Sequence, residues 1–101
     1  MGTIKKLIDA MHCELDTAKK YYRKSLELKE TYPQVASVFN EIARQELEHC
    51  NKFSATASSV LSRMKTNGED TAKAEVIWDY EHASIVEEYD ELKYKLTKFS
   101  I

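Results

Sequence analysis

The backbone of this chain carries very few interruptions: its 101 residues include two glycines and one proline. A sheet protein needs frequent turns, and most tight turns require glycine or proline. Charged residues make up 32% of the chain and hydrophobic residues 43%, a balance that suits long amphipathic helices. We therefore expect an all-α fold, and the length allows one domain over residues 1–101.

Hydrophobic residues recur every three or four positions in three segments, which predicts helices at about residues 3–30, 32–65 and 71–99. The first stripe is Ile4, Leu7, Ile8, Met11, Glu14, Leu15, Ala18, Tyr21, Tyr22, Ser25 and Leu28. The second is Val35, Val38, Phe39, Ile42, Glu46, His49, Phe53, Ala57, Val60 and Met64. The third is Trp78, His82, Ile85, Tyr89, Leu92, Leu96 and Phe99. Each helix is expected to turn its stripe toward a shared core.

Short polar segments separate the three helices. In "TYPQ", Thr31 and Gln34 have the spacing of a capping box, although Pro33 disfavours helical geometry at Tyr32 and could delay the start by one residue. In "TNGED", either Asn67 or Gly68 is expected to close the second helix with a left-handed residue, and Asp70 or Thr71 to cap the third.

Both connections are short, so neighbouring helices should run antiparallel in a bundle of three long helices. Three such rods make a thin bundle with a large surface for its volume. A further partner is therefore expected from another copy of the chain, with a homodimer as the first expectation.

Several functional classes are disfavoured by composition. A formal net charge of -2 gives no reason to expect nucleic acid or an anionic membrane as a partner. No apolar run is long enough to span a bilayer, and the first residues lack the apolar core of a signal peptide. Two cysteines do not make a disulfide framework, so a cytoplasmic location is expected.

Polar residues interrupt all three apolar stripes. Glu14 lies in the first, Glu46 and His49 in the second, and His82 in the third. A buried carboxylate without a partner is costly and normally becomes protonated, but a metal cation keeps it ionised. These four residues are therefore the candidate metal ligands.

Positions along the helices support this grouping. Glu14 precedes the first turn by roughly 27 Å at helical rise, while Glu46 and His49 follow it by roughly 20–24 Å. The three residues should lie almost level in an antiparallel pair. His82 is off by roughly 7 Å at the same rise, so it could equally be a core histidine bonded to a tyrosine or carboxylate. By height, Glu87 or Glu88 would suit the third helix better.

Two cysteines and three tyrosines lie close to these candidates. Cys13 adjoins Glu14 and Cys50 adjoins His49, which makes a zinc site conceivable, although two small buried thiols are the preferred interpretation. The tyrosines are Tyr21, Tyr22 and Tyr89; each is interpreted as a packing residue, with a role near a metal as the alternative.

The candidate ligands resemble a known arrangement. A Glu on one helix followed by Glu46-x-x-His49 on the next is similar to the first half of the ferritin-like di-iron carboxylate site. The tracts "CELDTAKKYY" and "RQELEHCNKF" resemble the first two helices of rubrerythrin-type proteins. The tract "WDYEHASIVEEYDELKYKL" resembles the third helix of small rubrerythrin-like proteins of bacteria and their phages.

The resemblance implies a ferritin-like bundle that binds iron, with a di-iron pair as one form of the site, and that oxidises Fe(II) with oxygen or peroxide. A complete family site has two Glu-x-x-His motifs, whereas this chain has one. The remaining ligands would come from His82 with Asp79, Glu87 or Glu88, or from a symmetry-related copy. Manganese or zinc are alternative metals. A non-catalytic helical interaction protein that keeps the bundle is the alternative function.

Overall fold

The computed structural model describes residues 2–99 and contains three α-helices in that range: α1 (Gly2–Leu28), α2 (Pro33–Thr66) and α3 (Ala72–Lys98). No strand occurs among these residues. The three helices lie side by side in a rod of 57 × 17 × 17 Å. The predicted all-α, ferritin-like bundle of three long helices is confirmed.

The α1–α2 turn differs from the predicted capping box. α2 begins at Pro33, and its N-cap is Tyr32, which makes no side-chain capping hydrogen bond. Proline fixes its own φ near the helical value and keeps the preceding residue out of helical geometry. The helix therefore starts one residue later than a box built on Thr31 and Gln34 would require.

The α2–α3 connection follows the predicted chemistry more closely. Gly68 takes the left-handed conformation with φ +77°, and its N–H donates to the carbonyl of Lys65 at 3.0 Å. At the start of α3, Asp70 Oδ1 accepts a hydrogen bond from the N–H of Ala72 at 3.1 Å. Gly68 thus closes α2 as expected. The N-cap of α3 is Thr71, which makes no side-chain capping hydrogen bond, while the hydrogen bond to the first helical N–H comes from Asp70.

α1 and α2 form an antiparallel pair whose contacts step in opposite directions along the two helices. The Cys50 thiol donates to the Met11 carbonyl at 3.9 Å, and the rings of Tyr21 and Phe39 stack with centroids 5.6 Å apart. The predicted α1 stripe is largely the buried one. Its fully buried members are Ile4, Ile8, Met11, Leu15, Ala18 and Ser25.

The predicted α2 stripe is wrong, because α2 buries a neighbouring face instead. The buried residues of α2 are Ala36, Asn40, Ala43, Leu47, Cys50, Ala57 and Leu61. Small side chains such as Ala36 and Ala43 allow α1 to approach closely, so this face makes the contact. Most of the larger apolar residues fall on the adjacent face, where Val35 is 44% and Val38 54% exposed.

We call this adjacent surface the open face. It consists of Leu7, Glu14 and Tyr21 on α1 with Val35, Val38, Ile42, Glu46, His49, Phe53 and Val60 on α2. Four apolar residues of the open face are partly buried and pack against the core, namely Leu7, Tyr21, Phe53 and Val60. The open face therefore combines apolar side chains with three of the four candidate ligands, and its apolar residues are only partly covered.

α3 packs on the other side of the hairpin, and its predicted stripe is confirmed. Trp78, Ile85, Leu92 and Leu96 are buried. At a rotation of 100° per residue, the α2 residues that contact α3 project away from Glu46 and His49. Two such contacts are Arg44 Nη2 donating to the Leu96 carbonyl at 2.8 Å and Asn51 Nδ2 donating to the Tyr89 hydroxyl at 2.7 Å.

Two polar side-chain contacts connect α3 to α1 at matching positions. His12 Nε2 lies 2.9 Å from Glu81 Oε2, and Lys19 pairs with Glu88. The second pair lies seven residues beyond the first on both helices, as expected for parallel neighbours. None of the three described helices is apolar over a stretch long enough to cross a bilayer.

Candidate metal centre

Glu14, Glu46 and His49 converge at the middle of the open face. Glu46 and His49 are three residues apart and therefore share one side of α2. His49 Nδ1 lies 3.5 Å from Glu14 Oε2 and 3.7 Å from Glu46 Oε2. One ligand atom from each residue lies within 4.8 Å of those from the other two. The structure thus brings together three of the four residues that the sequence singled out.

The burial of these side chains is uneven. The Glu14 and Glu46 side chains are each 20% exposed, whereas that of His49 is 49% exposed. Glu14 Oε2 is buried and has no hydrogen-bond partner among residues 2–99, because the 3.5 Å contact with His49 lies beyond ordinary hydrogen-bond range. A buried carboxylate oxygen without a donor is costly unless a cation approaches it.

This donor set fits a divalent transition metal. Two carboxylates and one imidazole suit iron, manganese and zinc, which accept mixed oxygen and nitrogen ligands. Ligand atoms about 2.1 Å from one cation stand roughly 3–4 Å apart. Small side-chain adjustments would therefore suffice to place all three atoms on one ion, and its remaining positions would be open to other ligands.

The cysteines do not join this group. Cys50 is buried, and burial raises the pKa of its thiol to about 11, with a further contribution from the negative charge of Glu14. The thiol is therefore neutral at physiological pH, and it donates to the Met11 carbonyl. Cys13 is exposed, so the expectation of two buried thiols is wrong for this residue. Cys13 points outward because it is one residue off the buried stripe of α1.

His82 stands apart from the other candidates. Its Nε2 lies 3.2 Å from Ser54 Oγ, and its ring stacks on Trp78 with centroids 4.6 Å apart. The alternatives on α3 are also elsewhere: Asp79 and Glu87 are exposed, and Glu88 pairs with Lys19. Within one protomer, the described part of α3 adds no residue to the group.

Ser54 and Asn51 are polar partners that periodicity did not single out. Ser54 meets His82, where a tyrosine or carboxylate was expected, and Asn51 meets Tyr89. Both lie on the α3 side of α2, with Asn51 four and Ser54 seven residues after the buried Leu47. Their spacing from Leu47 was the available signal, but small polar residues at such positions are common on helix surfaces.

One comparison with known proteins, a scan of family models, gives a match. A family model described as Rubrerythrin matches residues 5–98, which include nearly all of the three helices. Neither the curated proteins nor the solved structures gave a match. The family match spans most of the chain and includes Glu14, Glu46 and His49. The chain belongs to the Rubrerythrin family.

Proposed function

We propose that this protein is a ferritin-like metal-binding protein whose ligands are Glu14, Glu46 and His49 and whose metal is iron. The convergence of two carboxylates and one imidazole around an unpartnered, buried Glu14 oxygen carries this proposal. Membership of the Rubrerythrin family supports iron over manganese or zinc. The two cysteines are free, which is compatible with the reducing cytoplasm that we include in the proposal.

A pair of chains would complete the centre. One chain offers two carboxylates and one imidazole, which is half of the set in a complete di-iron carboxylate site. The group lies on the open face, with His49 half-exposed and Val35 and Val38 largely uncovered. A second copy on this face would bring the missing half-set and cover the valines. The proposed unit is therefore a homodimer with a shared di-iron site.

The three residues of the group would have different roles in binding the metal. The chemistry that bound iron would make possible is the oxidation of Fe(II) by oxygen or peroxide. Glu14 and Glu46 would balance the charge of the cation, and His49 would present Nδ1, the nitrogen that faces both carboxylates. Ile42 and Phe53, one turn to either side, would limit the access of water. Because the imidazole must be neutral to bind, affinity should fall as the solution is acidified.

The test measures iron after anaerobic loading with Fe(II) and desalting, together with mass by light scattering. We expect about one iron per chain in dimers of the wild type, as a shared two-metal site requires. Glu46→Ala should lose this iron. Glu48→Ala is the matched control, because Glu48 is exposed on the α3 side of α2 and should leave iron unchanged. Loading with Mn(II) or Zn(II) in parallel tests the choice of metal.

The outcome also addresses the alternative of a non-catalytic interaction protein, which the incomplete ligand set of one chain favours. Wild-type protein that retains no metal would contradict the iron proposal. Unchanged stability and assembly in Glu46→Ala/His49→Ala would then support the interaction protein.

A further inference from the structure

The turn between α2 and α3 contains an asparagine that is followed directly by a glycine, Asn67 and Gly68. Asparagine is a chemically labile residue, because the main-chain nitrogen of the next residue can attack its side-chain amide carbon. A glycine in the next position has no side chain to obstruct this attack. Both residues are exposed, so water can reach the pair.

The other two asparagines of the chain lie where this attack is blocked. Asn40 and Asn51 are within α2, where each main-chain N–H is held in a hydrogen bond to the carbonyl four residues earlier. Asn40 is also buried, and the side chain of Asn51 donates to the Tyr89 hydroxyl at 2.7 Å. Asn67 lies just beyond the end of α2, so the fold singles it out among the three.

We propose that Asn67 is a modification site, at which the Gly68 nitrogen converts the side-chain amide into a carboxylate. In the first step the bond from the Gly68 nitrogen to Asn67 Cγ forms and the bond from Cγ to Nδ2 breaks. The Gly68 proton leaves with the amide nitrogen as ammonia, and a succinimide ring remains. In the second step water opens the ring. Opening at the side-chain carbonyl gives aspartate, and opening at the main-chain carbonyl gives isoaspartate.

The folded turn holds this reaction back. The Gly68 N–H donates to the Lys65 carbonyl at 3.0 Å, and the N–H of Glu69 donates to the Met64 carbonyl at 3.0 Å. Asn67 has φ −81° and ψ 3°. Ring closure requires another ψ, at which the Gly68 nitrogen turns toward the Asn67 side chain and leaves the Lys65 carbonyl. The reaction therefore waits for local opening of the turn, and helix ends open at a low free energy.

The product weakens the end of α2. It places a new carboxylate next to Glu69 and Asp70, at the helix end where the dipole favours cations over anions. Isoaspartate also lengthens the main chain between Thr66 and Gly68, because the chain then runs through the former side chain. The Gly68 N–H then no longer fits the Lys65 carbonyl. Conversion of the asparagine thus loosens the connection that positions α3.

Ageing of the intact chain tests this site. The protein is kept in mildly alkaline buffer and digested, and its peptides are compared with those of fresh protein by mass and by enzymatic methylation of isoaspartate. We expect conversion at Asn67 and none at Asn40 or Asn51. Unfolding the same chain in guanidinium should speed conversion at Asn67 by about fivefold, the factor that one net backbone hydrogen bond supplies. Asn67→Gln is the matched control, because its longer side chain closes a less favourable ring.

Three results would contradict the proposal. Asn67 that stays unmodified in both the folded and the unfolded chain is not a modification site. Equal rates in the two states would show that the turn does not hold the reaction back. Conversion of Asn40 or Asn51 in the folded chain, at the rate of Asn67, would show that the fold does not select the residue. The measurement uses no metal, so its outcome is separate from that of the iron proposal.

Discussion

At the scale of single residues, Glu14 and Asn40 are the two side chains of the described range that each bury a polar atom without a hydrogen-bond partner. Asn40 has one hydrogen bond, which its Oδ1 accepts from Arg44 Nε. Glu14 Oε2 is buried without a hydrogen-bond donor among the described residues, while Cys50 behind it is buried as well. Neighbouring polar residues on the α3 side do find partners, as Asn51 and Ser54 show. The unpartnered carboxylate oxygen of Glu14 is the reason why we propose a cation at this position.

Glu75 provides a residue-scale prediction about pH. Its pKa is lowered, first by the interaction with Lys65 and then by the hydrogen bond from Thr71 Oγ1 at 3.0 Å. The folded pKa lies below the unfolded value, so the stabilisation is present at neutral pH and is lost as the pH falls through the folded pKa. Thermal unfolding should therefore show Glu75→Gln slightly less stable than wild type at pH 7.

At strongly acidic pH, Glu75→Gln and wild type should be equally stable, because Glu75 is then protonated in both the folded and the unfolded state. Glu75 is solvent-accessible, so the effect at neutral pH should be small. Glu41→Gln is the control, since Glu41 is exposed and has no ion pair within residues 2–99. An equal loss of stability at acidic and neutral pH would contradict the assignment to ionisation.

At the scale of elements, the three helices are joined in different ways. α1 and α2 approach through small residues, including Ala18, Ala43 and Ala57, all fully buried. α3 packs on this hairpin through buried apolar residues such as Trp78 and Ile85, and it adds polar contacts such as His12 with Glu81. Exposed or half-exposed ion pairs contribute little each. The hairpin of α1 and α2 carries the candidate ligands.

Gly68 gives the element-scale prediction. Its φ of +77° is in the left-handed region, and an added Cβ would meet no atom within 4 Å. Gly68→Ala should destabilise the fold through backbone conformation alone, by about 1 kcal/mol. Gly2→Ala is the control, because Gly2 is helical and equally unobstructed. Chemical denaturation measures both; equal effects would show that the conformation of Gly68 is not the cause.

The sequence predicted the three helices and the position of the candidate site along them better than it predicted which helix faces pack together. Scarce glycine and proline and the three-to-four spacing predicted three helices, and helical rise placed Glu14 level with His49. The buried face of α2 was not predictable in this way, because α2 has two apolar faces. Choosing between them requires knowing that Ala36 and Ala43 admit a neighbouring helix, which is a property of the assembled pair.

The position of His82 shows a second limit. It lies in the apolar stripe of α3, so its periodicity is that of a buried residue. Stripe membership does not specify a partner, however, and Ser54 and Trp78 occupy its two sides. Whether Glu14, Glu46 and His49 bind metal stays a prediction, since convergence is a geometric result and binding is a chemical one.

At the scale of the whole molecule, the rod is only 17 Å across. A body this thin buries a small fraction of its surface. The core is narrow and runs along the length of the three helices. The apolar residues of the open face lie outside this core and would become fully buried only against another molecule. The stability of the folded chain and the burial of its open face therefore depend on different residues.

Leu15 and Val38 test this separation. Leu15 is 1% exposed in the core, and Val38 is 54% exposed on the open face. Leu15→Ala should lower the free energy of unfolding by about 2–5 kcal/mol. Val38→Ser should change it by less than about 0.5 kcal/mol at concentrations where the chain is monomeric. Sedimentation should instead show weaker self-association for Val38→Ser. A large loss of monomer stability in Val38→Ser would contradict the separation.

If Glu14, Glu46 and His49 form the proposed half-set of ligands, completion of the metal centre would depend on the protein concentration. If each chain supplies only Glu14, Glu46 and His49, a complete centre exists only in chains that have met a copy. Dilution below the dissociation constant would then leave folded chains with incomplete centres, while a rise in expression would switch them on together. The concentration of the protein would then determine the fraction of chains with a complete metal centre, without a separate regulator.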